Sequence, residues 1–116
     1  MSQYEKAWQA AGRRVEDAVA RAGRPAGSVR LLAVAKTFPA EAVRAVYALG
    51  QRAFGENYVQ EAVTKRDALR DLADVEWHLI GPLQSNKTAT AASTFDWIET
   101  VDRLKVAQRL SAQRAV

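Results

Sequence analysis

Apolar residues recur every third or fourth position near the N-terminus, at Tyr4, Ala7, Trp8, Ala11, Val15, Ala18, Val19 and Ala22. That period predicts one amphipathic helix, Tyr4 to Ala22, with the stripe turned inward. Gly23 and Pro25 end it, because glycine suits a left-handed cap and proline cannot continue the ladder. The pattern then changes. Val29 to Ala35 is apolar throughout apart from Arg30, which predicts a short strand buried on both faces. Pro39 opens a second helix that turns Ala42, Val43, Val46 and Tyr47 inward as far as Gly50. Arg52 to Phe54 predicts a brief strand, and Glu56 to Leu72 a helix with Val59, Ala62, Val63, Leu69 and Leu72 inward. Glu76 to Ile80 reads as a third strand, ended by Gly81-Pro82. Asn86 to Ala92 is a weak helix rich in Thr and Ala, and Phe95 to Val101 a fourth strand. Asp102 stands where it would cap a last helix, with Leu104, Ala107 and Leu110 on its inner side.

A helix followed by successive strand-helix units implies an α/β fold, a parallel sheet with helices packed outside it. Such units make either a small open sheet or half of a TIM-type (β/α)8 barrel. A whole barrel takes about 250 residues, and this chain has 116, ending at Gln113-Arg114-Ala115-Val116 without a cap or breaker. The expectation is one domain, residues 1–116, forming the first half of a truncated barrel behind an extra N-terminal helix.

Composition narrows the function. The chain is 48% hydrophobic and 26% charged, enough apolar material for a core. Its apolar runs are too short to cross a bilayer, and Met1 to Lys6 lacks the apolar centre of a signal peptide. A cytoplasmic protein without a membrane partner is expected. The absence of cysteine excludes disulfides and thiolate chemistry, and a single histidine argues against a metal site. The net charge of +4 raises the question of nucleic acid. The basic residues, however, come as Arg13-Arg14, Lys65-Arg66 and Arg103 with Lys105, near acidic neighbours and without an aromatic-basic RNA motif. They read as solvated helix faces, so no nucleic-acid partner is expected.

In parallel α/β folds the chemistry gathers where strands end at their carboxyl termini. Lys36-Thr37 follows the first predicted strand, Gly55-Glu56-Asn57-Tyr58 the second, and Gly81 to Lys87 the third. An amine at the end of a buried strand loses solvation, which lowers its pKa and frees its lone pair for an aldehyde. Lys36 is therefore the candidate nucleophile, against the alternative that it only snorkels out of the barrel mouth. Asn57 either hydrogen-bonds a ring hydroxyl or carbonyl, or caps the helix that follows. His78 is either a satisfied core histidine or a group beside a cofactor. Asn86 and Lys87 open the next helix, with Lys87 also placed to meet an anion. Glu99 and Asp102 read as strand-end and cap carboxylates rather than an acid-base pair. The glycines, at 12, 23, 27, 50, 55 and 81, do not form a phosphate-binding loop.

Four segments together carry a resemblance. They are Leu32-Ala33-Val34-Ala35-Lys36-Thr37, Phe54 to Glu61 (FGENYVQE), Trp77 to Lys87 (WHLIGPLQSNK) and Ile98-Glu99-Thr100-Val101-Asp102. The chain resembles the pyridoxal phosphate homeostasis proteins, also called the YggS-like or proline synthase co-transcribed family. The resemblance implies a barrel related to the N-terminal domain of alanine racemase. It implies pyridoxal 5'-phosphate (PLP) bound as an imine on Lys36, with Asn57 lining the pocket and His78 in the motif around it. The implied role is to buffer and deliver the cofactor, with no catalytic residue and no turnover. A racemase-type enzyme, or a fragment inert by itself, are the alternatives. Ala35 departs from the serine usual before the lysine. The groups that hold the phosphate lie in later strand-helix units, so the cofactor is expected to bind weakly or not at all to this chain. A full-length protein is expected to be a monomer, whereas a half-barrel has two open edges that invite self-association.

Overall fold

In the structure, a computed structural model that describes residues 2–114, the period of the N-terminus becomes helix α1 (Gln3–Arg21). The Ser2 hydroxyl opens it by accepting the Glu5 N–H at 3.2 Å. Gly23 closes it at φ +69°, a left-handed conformation that a Cβ disfavours. Four strands follow: β1 (Ala33–Val34), β2 (Ala53–Glu56), β3 (Glu76–Leu79) and β4 (Trp97–Ile98). The remaining helices are α2 (Ala40–Tyr47), α3 (Val59–Ala68), α4 (Thr88–Thr94) and α5 (Leu104–Gln113), with a 3-10 turn at Ser85–Lys87 leading into α4.

The strands pair in parallel in chain order, β1-β2-β3-β4. Phe54, Trp77 and Leu79, at 1%, 4% and 0% exposure, pack with Val43, Ala62, Leu69, Ala91 and Val106 in one cluster. Burial of each such large side chain contributes about 1.5–3 kcal/mol. These strand residues share one face, so α2 to α5 lie on the same side of the sheet. A parallel sheet with its crossover helices on one face is the wall of a barrel, not a doubly wound sheet. The expected class, βα units of a TIM-type barrel, is what the chain builds. Among the described residues no helix is long and apolar enough to cross a membrane.

Several boundaries differ from expectation, each for a structural reason. The run Val29–Ala35 is not buried on both faces. Only Ala33–Val34 joins the ladder, and Val29 and Val34 are 40% and 48% exposed, because β1 pairs with β2 alone. Glu56 ends β2 rather than opening a helix, so the predicted 56–72 helix shortens to α3. Asn86 falls in the 3-10 turn, and α4 reaches Thr94. The fourth strand keeps only Trp97–Ile98 of the expected 95–101. Asp102 does not cap α5: the cap position is Arg103, without a side-chain bond, and the Asp102 carboxylate faces the Arg103 guanidinium at 3.4 Å. Leu104, expected inside, is 73% exposed, and Val106 is buried instead. Ala115 and Val116, part of the terminus read as uncapped, lie outside the described residues.

The stripe of α1 is only partly covered, Val19 being its buried residue. Its anchor is polar. The Trp8 indole N–H donates to Gln51 Oε1 at 2.9 Å, and the Gln51 amide donates to the carbonyls of Leu31 and Ala53 at 2.7 and 2.8 Å. One buried glutamine thus ties α1 to the starts of β1 and β2.

Candidate functional site

Side chains alternate between the faces of a strand, so residues opposite one another in the ladder share a face. The register aligns Val34 with Gly55, Gly55 with His78, and His78 with Trp97. This row points away from the helices, onto what is the inner face of a barrel wall. Val34 and Trp97 are 48% and 57% exposed there. Gly55 is needed for its smallness: a Cβ on it would stand 3.2 Å from Ile80 Cδ1 and 3.4 Å from Leu32 Cδ2, the side chains that lie over it.

One step further along the strands come Lys36, Asn57, Ile80 and Glu99. The Ala35 N–H donates to Gly55 O at 2.8 Å, the Ile80 N–H to Glu56 O at 2.9 Å and the Glu99 N–H to Leu79 O at 3.0 Å, which carries the ladder to its carboxyl end. Lys36 is exposed, and its amine makes no hydrogen bond or ion pair among the described residues. The burial on which the expected loss of solvation rested is therefore not found in this open sheet.

Asn57 is half-buried and does not cap α3, whose cap position is Tyr58. Its main chain is instead held by a close approach. A Cβ on Gly81 would fall 2.1 Å from Asn57 O, so only glycine lets the loop after β3 pass this carbonyl. Gly81 O in turn accepts the Thr100 hydroxyl at 2.6 Å. The loops after β2, β3 and β4 are thus fastened side by side.

His78 is buried at 8% exposure. Its Nδ1 lies 2.5 Å from Glu99 Oε1 and its Nε2 2.8 Å from Glu76 Oε1. The ring of Trp97 stacks on it at 6.0 Å and 8°. Each ring nitrogen thus faces a carboxylate oxygen. The Arg30 guanidinium, and then His78, hold the Glu76 carboxyl below the usual range. The sole histidine is thus a satisfied one that also lines the inner face. Glu99 is its partner, and Asn86 and Lys87 stay exposed nearby.

The sequence reading missed Lys65. Placed on a solvated face, it is 6% exposed and donates to Ala35 O at 2.5 Å, Glu56 Oε1 at 2.7 Å and Glu61 Oε1 at 3.0 Å. Glu56 is fully buried and its Oε2 has no partner. Burial pushes its carboxyl above the usual range despite Lys65. Glu61 is held low, by Lys65 first and then by the Thr37 N–H, which it accepts at 2.6 Å. One signal in the sequence is the spacing Ala62, Lys65, Leu69, which puts all three on one side of α3.

No family model matches the chain. It is 56% identical over 101 residues to the pyridoxal phosphate homeostasis protein of Pseudomonas aeruginosa, a match covering 87% of this chain and 44% of that protein. It is 50% identical over 103 residues to the protein of the same name from Escherichia coli, again covering 87% and 44%. The structure of PipY from Synechococcus elongatus PCC7942, solved with PLP bound, is similar at 51% identity and a TM-score of 0.74, over 84% of this chain and 46% of that one. The chain spans a little under half the length of the curated relatives it matches. The resemblance read from the four segments holds over that length.

Proposed function

We propose that this chain is the Lys36-bearing half of a PLP-binding barrel, and that the complete protein is cytoplasmic and buffers and delivers the cofactor without turning over a substrate. The observation that carries the reading is the placement of Lys36. Its amine stands at the carboxyl end of β1, exposed and unpaired among the described residues, beside Asn57 on the inner face. A PLP-bound relative of similar fold supports the choice of ligand.

The residues present fit the aldehyde end of PLP. When bound, the cofactor supplies an aldehyde that condenses with a neutral amine and releases water. Lys36 offers an exposed amine, and Asn57 offers an amide to a ring oxygen. His78, held by two carboxylates, shapes the wall and has no nitrogen free for proton transfer. A phosphate grip is another matter, since no glycine-rich loop is present. Binding by this chain is therefore weak compared with that of a complete barrel. A complete barrel is monomeric, whereas two free edges and the exposed Val34 and Trp97 favour self-association of the half.

Titration with PLP, followed by visible absorbance, tests the reading. The expected outcome is a saturable band that Lys36→Ala removes, with no racemisation of alanine. A band that survives the substitution contradicts the role of Lys36. Clear racemisation favours the enzyme instead.

A further inference from the structure

We infer that the buried cluster Glu56–Lys65–Glu61 is a positioning device for Lys36, gripping the main chain on both sides of it and fixing the direction in which its amine leaves the strand. The inference rests on the proposed role of Lys36 and extends it to residues on the opposite face of the sheet.

The geometry is specific to the residues flanking Lys36. On one side the Lys65 ammonium donates to Ala35 O at 2.5 Å, and on the other Glu61 Oε1 accepts the Thr37 N–H at 2.6 Å. The two grips are joined, because Lys65 also donates to that same Glu61 oxygen at 3.0 Å. Glu56, fully buried at the end of β2, anchors the ammonium from below at 2.7 Å. The chain is thus held at the peptide before Lys36 and at the peptide after it.

The conformation held there is not one that the chain takes by default. Thr37 lies at φ +68°, alone among the described non-glycine residues in having a positive φ. A β-branched residue resists that region, and such strain persists where surrounding contacts over-determine it. The turn at Thr37 takes the main chain away from the strand immediately after Lys36. If it relaxed, the amine would sweep a wider arc over the inner face.

A purely structural purpose accounts less well for the cluster. A buried lysine with two carboxylates gains little over an apolar trio of the same volume. Here it also leaves Glu56 Oε2 unpartnered. What an apolar trio cannot do is hold the Ala35 carbonyl and the Thr37 N–H, which flank Lys36 on either side. A rigidly held amine meets an aldehyde with less loss of freedom, and small misplacements of reacting groups are costly.

The test uses Glu61→Ala, whose side chain is partly exposed, and Lys65→Met, with folding checked for both by circular dichroism and denaturation. Amide exchange by NMR is the readout that does not need the cofactor. Exchange about tenfold faster at residues 36–38, with the Phe54 and Leu79 amides unchanged, is expected. The second readout is PLP binding at a series of pH values, expected to weaken about tenfold with a shifted midpoint. Unchanged exchange in a folded Glu61→Ala variant overturns the inference, and so does acceleration spread evenly over the domain. If Lys65→Met does not fold, Glu61→Ala decides alone. Should the unsubstituted chain give no Lys36 adduct with PLP, the proposed function falls, while the exchange at Thr37 still settles whether the cluster holds that segment.

Discussion

The two faces of the sheet are made from the same strands and do opposite work. On the helix side Phe54, Trp77 and Leu79 are all but inaccessible, whereas on the inner side Val34 and Trp97 are about half exposed. Each face also carries a basic side chain between two carboxylates. Lys65 sits with Glu56 and Glu61 among the helices, and His78 with Glu76 and Glu99 on the inner face. The difference is what they hold. The Lys65 cluster grips main chain, and the His78 cluster fixes a side chain against Trp97. Alternation along a strand thus lets one short sequence stabilise a fold on one side and present the exposed Lys36 on the other.

The comparison breaks most readily at its apolar residues. Phe54→Ala is expected to lower stability by about 3–5 kcal/mol, as truncation of a buried aromatic does. Trp97→Ala, on the exposed face, is expected to cost well under half of that. Denaturant unfolding of both variants checks the pair. Equal losses would mean that the inner face is covered after all, by a second copy of the chain for example.

Lys65→Met comes next, at about 3 kcal/mol or more, because it leaves Glu56 buried without its cation. Gly81→Ala is expected to cost about 2–3 kcal/mol by forcing the loop away from Asn57 O. It also separates the two faces, because it should weaken PLP binding while leaving the helix-side packing intact. Thermal unfolding and a PLP titration on the same sample read both effects.

The smallest effect is that of pH, and its direction differs within one cluster. Glu61 has a folded pKa below its unfolded value. Its stabilising contribution is therefore complete above the unfolded value of about 4.3 and is lost as pH falls through the lower folded one. Glu56 is shifted upward by burial. Its contribution is complete below the unfolded value and is lost as pH rises through the folded one. Glu61→Gln is accordingly expected to flatten the acid limb of the stability profile below about pH 4. A profile parallel to that of the unsubstituted chain would show that Glu61 is not engaged as described.

Much of this was legible in the residues. The three-four spacing of α1 and the apolar centre of β3 located both elements to within a residue or two. These are patterns that burial on one side imposes locally. Lys36 and Asn57 were placed after the ends of strands, and His78 within one, by element order alone. The register of Val34, Gly55 and His78, and its continuation through the Ala35 N–H to Gly55 O bond, put them on one face. Other features depend on contacts between distant segments. Lys65 looked like surface because lysine usually is. Only the approach of Ala35 and Glu56, 30 and 9 residues away, makes it an interior cation. Asp102 has the chemistry of a cap, yet α5 begins beyond it and Arg103 takes the cap position. The closeness of Gly81 to Asn57 has no local signature at all.

The most direct measurement is borohydride reduction of the chain mixed with PLP, followed by mass mapping of the peptides. The account predicts a reduced pyridoxyl group on Lys36, and none on that peptide in Lys36→Ala. A label on Lys65 or Lys87 with Lys36 unmodified, or a Lys36→Ala chain that holds the cofactor as well as before, would contradict it.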